Sequence, residues 1–356
     1  MNRKSMIVLI IIGMITILSI ETVHAQEEVT IPDETLEAIL RGEIGKPKGP
    51  IYKDDLKVVT RIAATEQGIQ SLEGLQYCVN LRGADLRWNE ISYIPDLSTL
   101  DELEYLQLDG NLISDISGLL SLGNIKALHI GGNGITDISP LANLTTLERL
   151  EIGGSEISDI SPLANLINLE ELWLFDNNIS DLSPITNLTN VRELILSKND
   201  ISDISPLSSL TSLQELDLAM NNISNISALS DPPQIEELYI FDNNITDISP
   251  LMNNPRIDSG DTIFLDHNPL SKQSIEEYIP ALEERGVEVM WNSGEYEESV
   301  ETTPPESPTG TTPPEPASSS LMSSPPQKDN TPLYLGVVGI LVALVLVVYF
   351  VRKGKT

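Results

Sequence analysis

The strongest constraint on this chain is a pattern of eight positions, apolar-x-apolar-x-x-Asn-x-apolar, that returns every 22 residues. Leu172-Trp173-Leu174-Phe175-Asp176-Asn177-Asn178-Ile179 is a clear copy. The Asn slot recurs at Asn89, Asn111, Asn133, Asn177, Asn199, Asn221 and Asn243. Gln67 and Ser155 fill it in two further copies, and these nine positions keep a spacing of 22 without slip. A tenth copy, with Asn268 in the slot, is displaced by three residues through an insertion near residues 253–261. Two apolar residues with one residue between them point to the same side of a strand. One copy is too short to bury that pair by itself, so copies must stack, each covering the next.

Further apolar slots follow the Asn at fixed offsets. One column is Ile113, Ile135, Ile157, Ile179, Ile201, Ile223, Ile245; a second is Ile116, Ile138, Ile160, Leu182, Ile204, Ile226, Ile248. Every copy therefore supplies a full ring of apolar side chains. The Asn amide, with donors and an acceptor on one group, can bond the main chain at the tight turn in a column through the stack. A period of this length with Leu-x-Leu-x-x-Asn is the signature of a leucine-rich repeat. The fold class expected is an α/β solenoid, a leucine-rich-repeat horseshoe.

Asp137-Ile138-Ser139-Pro140-Leu141-Ala142-Asn143-Leu144 returns as Asp159-Ile160-Ser161-Pro162-Leu163-Ala164-Asn165-Leu166, with close variants from Asp181, Asp203 and Asp247. This motif resembles the internalin-type repeat of bacterial surface proteins, and the resemblance runs from about Ile31 to Trp291. It implies a parallel sheet on a concave face, 3₁₀ turns on the convex face, a helical N-terminal cap, and a binding role rather than catalysis.

The flanks divide the rest of the chain. Residues 1–25 read as a secretory signal: Arg3 and Lys4, then an apolar run from Met6 to Ile20, then Val23-His24-Ala25 before a cut at Gln26. Residues 26–61 form the helical N-terminal cap, with helices expected from Glu34 to Arg41 and from Tyr52 to Thr60. The repeats occupy 62–270. Residues 271–293 form a C-terminal cap, a helix over Ser271–Arg285 in which Pro280 is a kink point, then a strand over Val287–Trp291. Residues 294–332, rich in Pro, Ser, Thr and Glu, cannot build a core and read as an extended stalk. Leu333 to Val351 is an uncharged apolar run of 19 residues, just long enough for a single transmembrane helix. Arg352, Lys353 and Lys355 in the tail, 352–356, place it in the cytoplasm and the solenoid outside. No Leu-Pro-x-Thr-Gly sorting motif is present, so a membrane anchor is expected in place of covalent attachment to a cell wall.

The net charge of −32 excludes nucleic acid as a partner and suits either plain solubility or a basic ligand. The single cysteine, Cys78, lies on an apolar column with Leu100, Leu122, Leu144 and Leu166 and reads as a small buried hydrophobe. Outside the signal only His129 and His267 remain as histidines, and they are six strands apart. The sequence therefore points to no catalytic site, no metal and no cofactor. The Asp column (Asp115, Asp137, Asp159, Asp181, Asp203, Asp247) has Ca²⁺-binding chemistry, but each Asp precedes Ile-Ser or Leu-Ser, where an Asp caps the turn.

Recognition is expected on the outward positions of the strands. Trp173 and Phe175 share one strand, Tyr239 and Phe241 another, with Ile195 between. Large apolar side chains turned toward water mark a contact site, since aromatics dominate binding hot spots; the alternative is that they only pack on one another. His129 and Glu151, beside Gly131 and Gly153, form a flatter candidate region that would admit a close protein or a sugar. The function expected is therefore a single-pass cell-membrane protein that binds a protein ligand at the cell surface through its concave face. The alternative is a structural envelope component contacting neighbouring copies or a surface glycan, with an enzyme a distant third.

Overall fold

The computed structural model describes residues 27–230 and 235–291. The expected signal, stalk, transmembrane helix and tail lie outside the described residues. Among the described residues no helix is long and apolar enough to cross a membrane.

Eleven strands form one parallel sheet in chain order. They are β3 (Arg61–Ala63), β4 (Gly83–Asp85), β5 (Tyr105–Gln107), β6 (Ala127–His129), β7 (Arg149–Glu151), β8 (Glu171–Trp173), β9 (Glu193–Ile195), β10 (Glu215–Asp217), β11 (Glu237–Tyr239), β12 (Thr262–Phe264) and β13 (Glu288–Met290). The register follows the 22-residue period, so Leu106, Leu128, Leu150, Leu172, Leu194, Leu216 and Leu238 are stacked partners. All seven are buried, as are the apolar residues two positions on, from Leu108 to Ile240. The period-2 alternation puts one row into the core and leaves its neighbours on the open face of the sheet.

The Asn column does what its chemistry allows. Asn199 accepts from the Ile179 amide through Oδ1 at 3.0 Å and donates through Nδ2 to the carbonyls of Leu174 at 2.9 Å and Leu196 at 3.0 Å. The same set recurs at Asn111, Asn133, Asn177, Asn221 and Asn243, all buried. The residue just before each slot has a left-handed backbone. It is glycine at Gly110, Gly132 and Gly154, but Glu66, Trp88, Asp176, Lys198, Met220, Asp242 and His267 adopt the same conformation. L-residues resist this region, so the Asn bonds and the strand pairing hold it in place.

Beyond each Asn the chain returns through short 3₁₀ turns, among them Ser139–Asn143, Ser161–Asn165, Ser183–Ile185 and Ser205–Ser209. The Asp column caps them. Asp137, Asp159, Asp181, Asp203 and Asp247 each accept from the amide of the Ser two residues on, at 2.8 Å. Cys78 is buried in the same core, which pushes its thiol up to about 12.

At the start, β1 (Glu28–Val29) pairs antiparallel with β2 (Ile51–Tyr52), and α1 (Glu34–Glu43) buries Leu36 and Leu40 in the cluster that contains the repeat leucines. Asp33 ties this segment to the first repeat. One carboxylate oxygen accepts from the Leu36 amide at 2.9 Å and the other from Gln70 at 2.7 Å and Ser71 at 3.1 Å. Burial pushes the Asp33 carboxyl up, but these amides outweigh it and hold it below the usual range. The helix expected over Tyr52–Thr60 is only α2 (Lys53–Leu56). Its stop precedes Val58-Val59-Thr60, a run of β-branched residues that resists helix.

At the other end, α3 (Ser249–Asn253) takes the place of a 3₁₀ turn, and the C-terminal helix contains a π-helical turn over Ser274–Tyr278 before α4 (Ile279–Glu284). Pro280 supplies the reason. It has no amide proton, and its ring would crowd the carbonyl four residues back, which a wider turn relieves.

Candidate functional site

The open face of the sheet carries three outward columns. The middle one runs Asp85, Gln107, His129, Glu151, Trp173, Ile195, Asp217, Tyr239, Phe264, each directly opposite the next across the strand pairs. A second, two residues further along each strand, runs Arg87, Asp109, Gly131, Gly153, Phe175, Ser197, Ala219, Phe241. The third includes Arg149, Glu171, Glu193, Glu215 and Glu237, also in register.

Trp173, Phe175, Ile195, Tyr239 and Phe241 are all half-buried rather than fully exposed. A Cβ on Gly153 would lie 2.3 Å from the Phe175 ring, so that ring sits where another side chain would stand. Tyr239 stacks on Phe264 with centroids 4.5 Å apart and planes 6° from parallel, and its hydroxyl donates to Glu237 at 2.6 Å. Burial and that carboxylate both raise the Tyr239 phenol well above its ordinary value. Trp173 meets His129 edge-on at 6.1 Å, and its indole N–H is buried with no hydrogen-bond acceptor among the described protein groups. Rigid aromatic surface of this kind needs little ordering when a partner arrives.

In the earlier strands the face is polar. Nδ1 of His129 lies 2.9 Å from a carboxylate oxygen of Glu151. Asp109, two residues past the end of β5, accepts from the Gly131 amide at 2.9 Å. Burial and then the Glu151 charge raise the Asp109 carboxyl to about 6, against the opposing pull of His129. Burial disfavours the His129 cation, but the Glu151 hydrogen bond and the Glu151 and Asp109 charges prevail and raise its pKa above 6.5. Arg87, whose charge reaches this cluster, is held by Asp85 through bonds of 2.7 and 2.9 Å.

In the later strands Glu215 is raised to about 7 by burial and by Glu193, Glu237 and Asp217, and burial raises Asp217 to about 6. Like charges opposite each other in a sheet are destabilising, and this column sets them side by side.

The structure thus brings His129 and Glu151 together, lays Trp173 against His129, and keeps Tyr239 and Phe241 with Phe264 on a separate stretch of the same face. The second histidine, His267, is exposed and pairs with Asp242 at 3.1 Å. Two features escape the sequence reading. Asp109 joins His129 and Glu151 in a three-residue set with metal-ligand chemistry; its signal is the 20-residue step from Asp109 to His129, one repeat less one outward position. Trp88 is 60% exposed at a left-handed position, with its ring over Gly110.

The family described as Leucine Rich repeats (2 copies) matches residues 123–165 and 189–231. No curated protein matches the chain. Among solved structures, internalin C2 of Listeria monocytogenes is 32% identical over 69% of this chain and 98% of its own, with a TM-score of 0.55. Internalin F of the same organism is 26% identical over 77% of this chain and 94% of its own, with a TM-score of 0.53. A leucine-rich-repeat protein of Leptospira interrogans is 24% identical over 67% of this chain and 62% of its own, and its TM-score of 0.60 speaks for the fold alone.

Proposed function

The chain belongs to the internalin family of leucine-rich-repeat proteins, and from that premise we propose that it displays its sheet face at the cell surface to bind a protein ligand. Leucine-rich-repeat proteins of this type are commonly protein-binding modules. One observation carries the reading: Trp173, Phe175 and Ile195 on one stretch, and Tyr239 and Phe241 on another, are half-buried apolar side chains on the sheet face that no other element among the described residues covers. Residues braced in this way act as anchors at low entropic cost. Beside them, Glu171, Glu193, Glu215 and Glu237 stand in register, with Arg149 paired to the first at 3.0 Å. Carboxylates held together against their mutual repulsion favour a ligand that brings Lys or Arg to that edge.

The remaining assignments complete this reading. Residues 1–25 export the chain, α1 and the helix ending at Glu284 cover the two ends of the core, 294–332 hold the repeats away from the surface, and 333–351 anchor them with the C-terminus inside. The amino-acid pattern of each segment supports it.

The test uses the full chain displayed on cells, beside a variant carrying Trp173→Ala, Phe175→Ala, Tyr239→Ala and Phe241→Ala. A surface protein captured by the parent, released by rising salt and lost by the folded variant supports the proposal. Equal capture by both removes the site from the sheet face. Capture by neither, with self-association of both, favours an envelope component.

A further inference from the structure

Across three neighbouring repeats, Asp109, His129 and Glu151 place one ligand atom each so that all three lie within 4.8 Å of one another. We propose that this trio binds a divalent first-row transition-metal ion, zinc being the ion its donors suit, on the open face of the sheet. One imidazole and two carboxylates are a borderline donor set of the kind such ions take, and three protein ligands leave a coordination position open. Small side-chain rotations close 4.8 Å to the separation that bonds of about 2.0–2.2 Å require.

The position of the trio is favourable. His129 and Glu151 are direct register partners, and Asp109 lies just beyond the strand on the other side of β6. All three ride on hydrogen-bonded backbone, so no loop has to order for an ion to bind. Gly131 and Gly153 follow Asp109 in its column, leaving bare backbone beside the carboxylates; a Cβ on Gly131 would stand 3.0 Å from the Gly153 carbonyl and 3.4 Å from a Glu151 oxygen. The Phe175 ring over Gly153 and the Trp173 ring against His129 wall the trio on the side of the later strands. Arg87 does not compete, since Asp85 engages its guanidinium.

Two further observations point to a ligand rather than to folding need. The repeat is its own control: three copies on, Asp109, His129 and Glu151 are replaced by Phe175, Ile195 and Asp217, and four copies on by Ser197, Asp217 and Tyr239, while the strands keep the same register. The buried indole N–H of Trp173, whose ring meets His129 edge-on, has no acceptor among the described protein groups.

The experiment uses the full chain in mild detergent with Trp88→Phe and Trp291→Phe, so that Trp173 is the only tryptophan left. Zinc is titrated by calorimetry in excess magnesium, and cobalt by quenching of Trp173 fluorescence. The expected result is one zinc per chain, cobalt quenching reversed by zinc, and affinity lowered about tenfold or more by His129→Gln or Asp109→Ser. Both substitutions introduce residues that the chain already carries in equivalent slots, at Gln107 and Ser197, and unchanged melting shows that the fold is kept. His267→Gln leaves binding unchanged. No zinc bound by the parent, binding undiminished by His129→Gln, or calcium bound as tightly as zinc overturns the proposal.

Discussion

Ser155 is the weak link in the Asn ladder, and Ser155→Asn should stabilise the protein. The serine reaches only the Asn133 carbonyl, at 3.5 Å. An asparagine there repeats the pattern of Asn199 one step at a time: Nδ2 toward the carbonyls of Ile130 and Ile152, and Oδ1 toward the Ile135 amide. Both carbonyls already take one amide, Ile130 from Asn133 at 2.9 Å and Ile152 from Asn177 at 2.8 Å. A carbonyl has two lone pairs, and Leu174 shows the double arrangement, accepting from Asn177 at 3.1 Å and Asn199 at 2.9 Å. Three added bonds at about 1 kcal/mol each, less about 1 kcal/mol for ordering the longer side chain, leave about 1–2 kcal/mol in favour. For a domain of this size that raises the melting temperature by about 2–8 °C. Thermal and urea melts read the gain globally. Hydrogen exchange at the Ile135 amide reads it locally, which guards against a melt that is not two-state in a stacked array. Asn199→Ser is the calibrating reverse and should destabilise by at least as much. If Asn199→Ser costs stability while Ser155→Asn adds none and Ile135 exchanges as before, the slots are not equivalent and the ladder argument fails.

Stability should fall as pH rises from about 5 to 8. The Asp217 carboxyl, raised from 3.8 to about 6 by burial, holds its proton more tightly folded than unfolded, so its contribution is complete below about pH 4 and is lost as pH passes 6. The difference is about 3 kcal/mol. Glu215, raised to about 7, extends the loss to that pH, by about 1 kcal/mol after allowance for screening. Asp217→Asn should make the fall of the urea midpoint between pH 5 and 8 shallower, leaving the part due to Glu215, Asp109 and His129, and an unchanged slope would refute the assignment. Below pH 4 the sign reverses, because Ser amides hold the Asp115, Asp159 and Asp203 carboxyls below the ordinary value, and that support is lost on protonation. Gly153→Ala places a Cβ 2.3 Å from the Phe175 ring; the expected cost is about 1–3 kcal/mol, and a melt within error of the parent would show that the ring swings away freely. Trp173→Phe removes a buried N–H with no acceptor among the described protein groups, so without added metal stability should stay level or rise by about 1 kcal/mol; a larger loss would mean that the N–H is satisfied or that the packing of the indole outweighs it.

Much of this architecture is legible in the sequence because the period acts as a ruler. Once Asn177 and Asn199 occupy one slot, Leu172 must lie beside Leu194 and Trp173 beside Ile195, and the sheet obeys. The Asp-x-Ser turn is equally open to reading, since donor and acceptor are two residues apart. What resists reading depends on reach rather than on register. Phe175 is half-buried because Gly153, one repeat earlier, gives its ring a place to lie; the signal existed, but in another copy. Asp109 meets His129 and Glu151 diagonally, across two columns, and a column-by-column reading separates them. Left-handed backbone is visible where Gly110 or Gly132 occupies the slot and hidden where Trp88 or Met220 does. The N-terminal segment follows no period, and there Tyr52 to Thr60 reads as more helix than forms.

A repeat of this kind separates folding from function in its departures from the period. On the turn side the copies scarcely differ: Asp, Ser and Pro recur, and the bonds recur with them at 2.8 Å. On the sheet face the inward leucines are equally constant, while the outward residues change from copy to copy and break local rules. Four glutamates stand in register, an indole N–H is buried without an acceptor among the described protein groups, and a histidine lies close to two carboxylates. None of these is required by the fold, since other copies keep the same backbone with Gln107, Ser197 or Ala219 in those columns. Selection for stability alone would remove such features, because each costs free energy in a stack that tolerates simpler residues. Their concentration on one face locates the selection there. It also predicts where substitutions divide: on the turn side they should change melting and leave partner binding alone, and on the sheet face they should change partner binding whatever they do to melting.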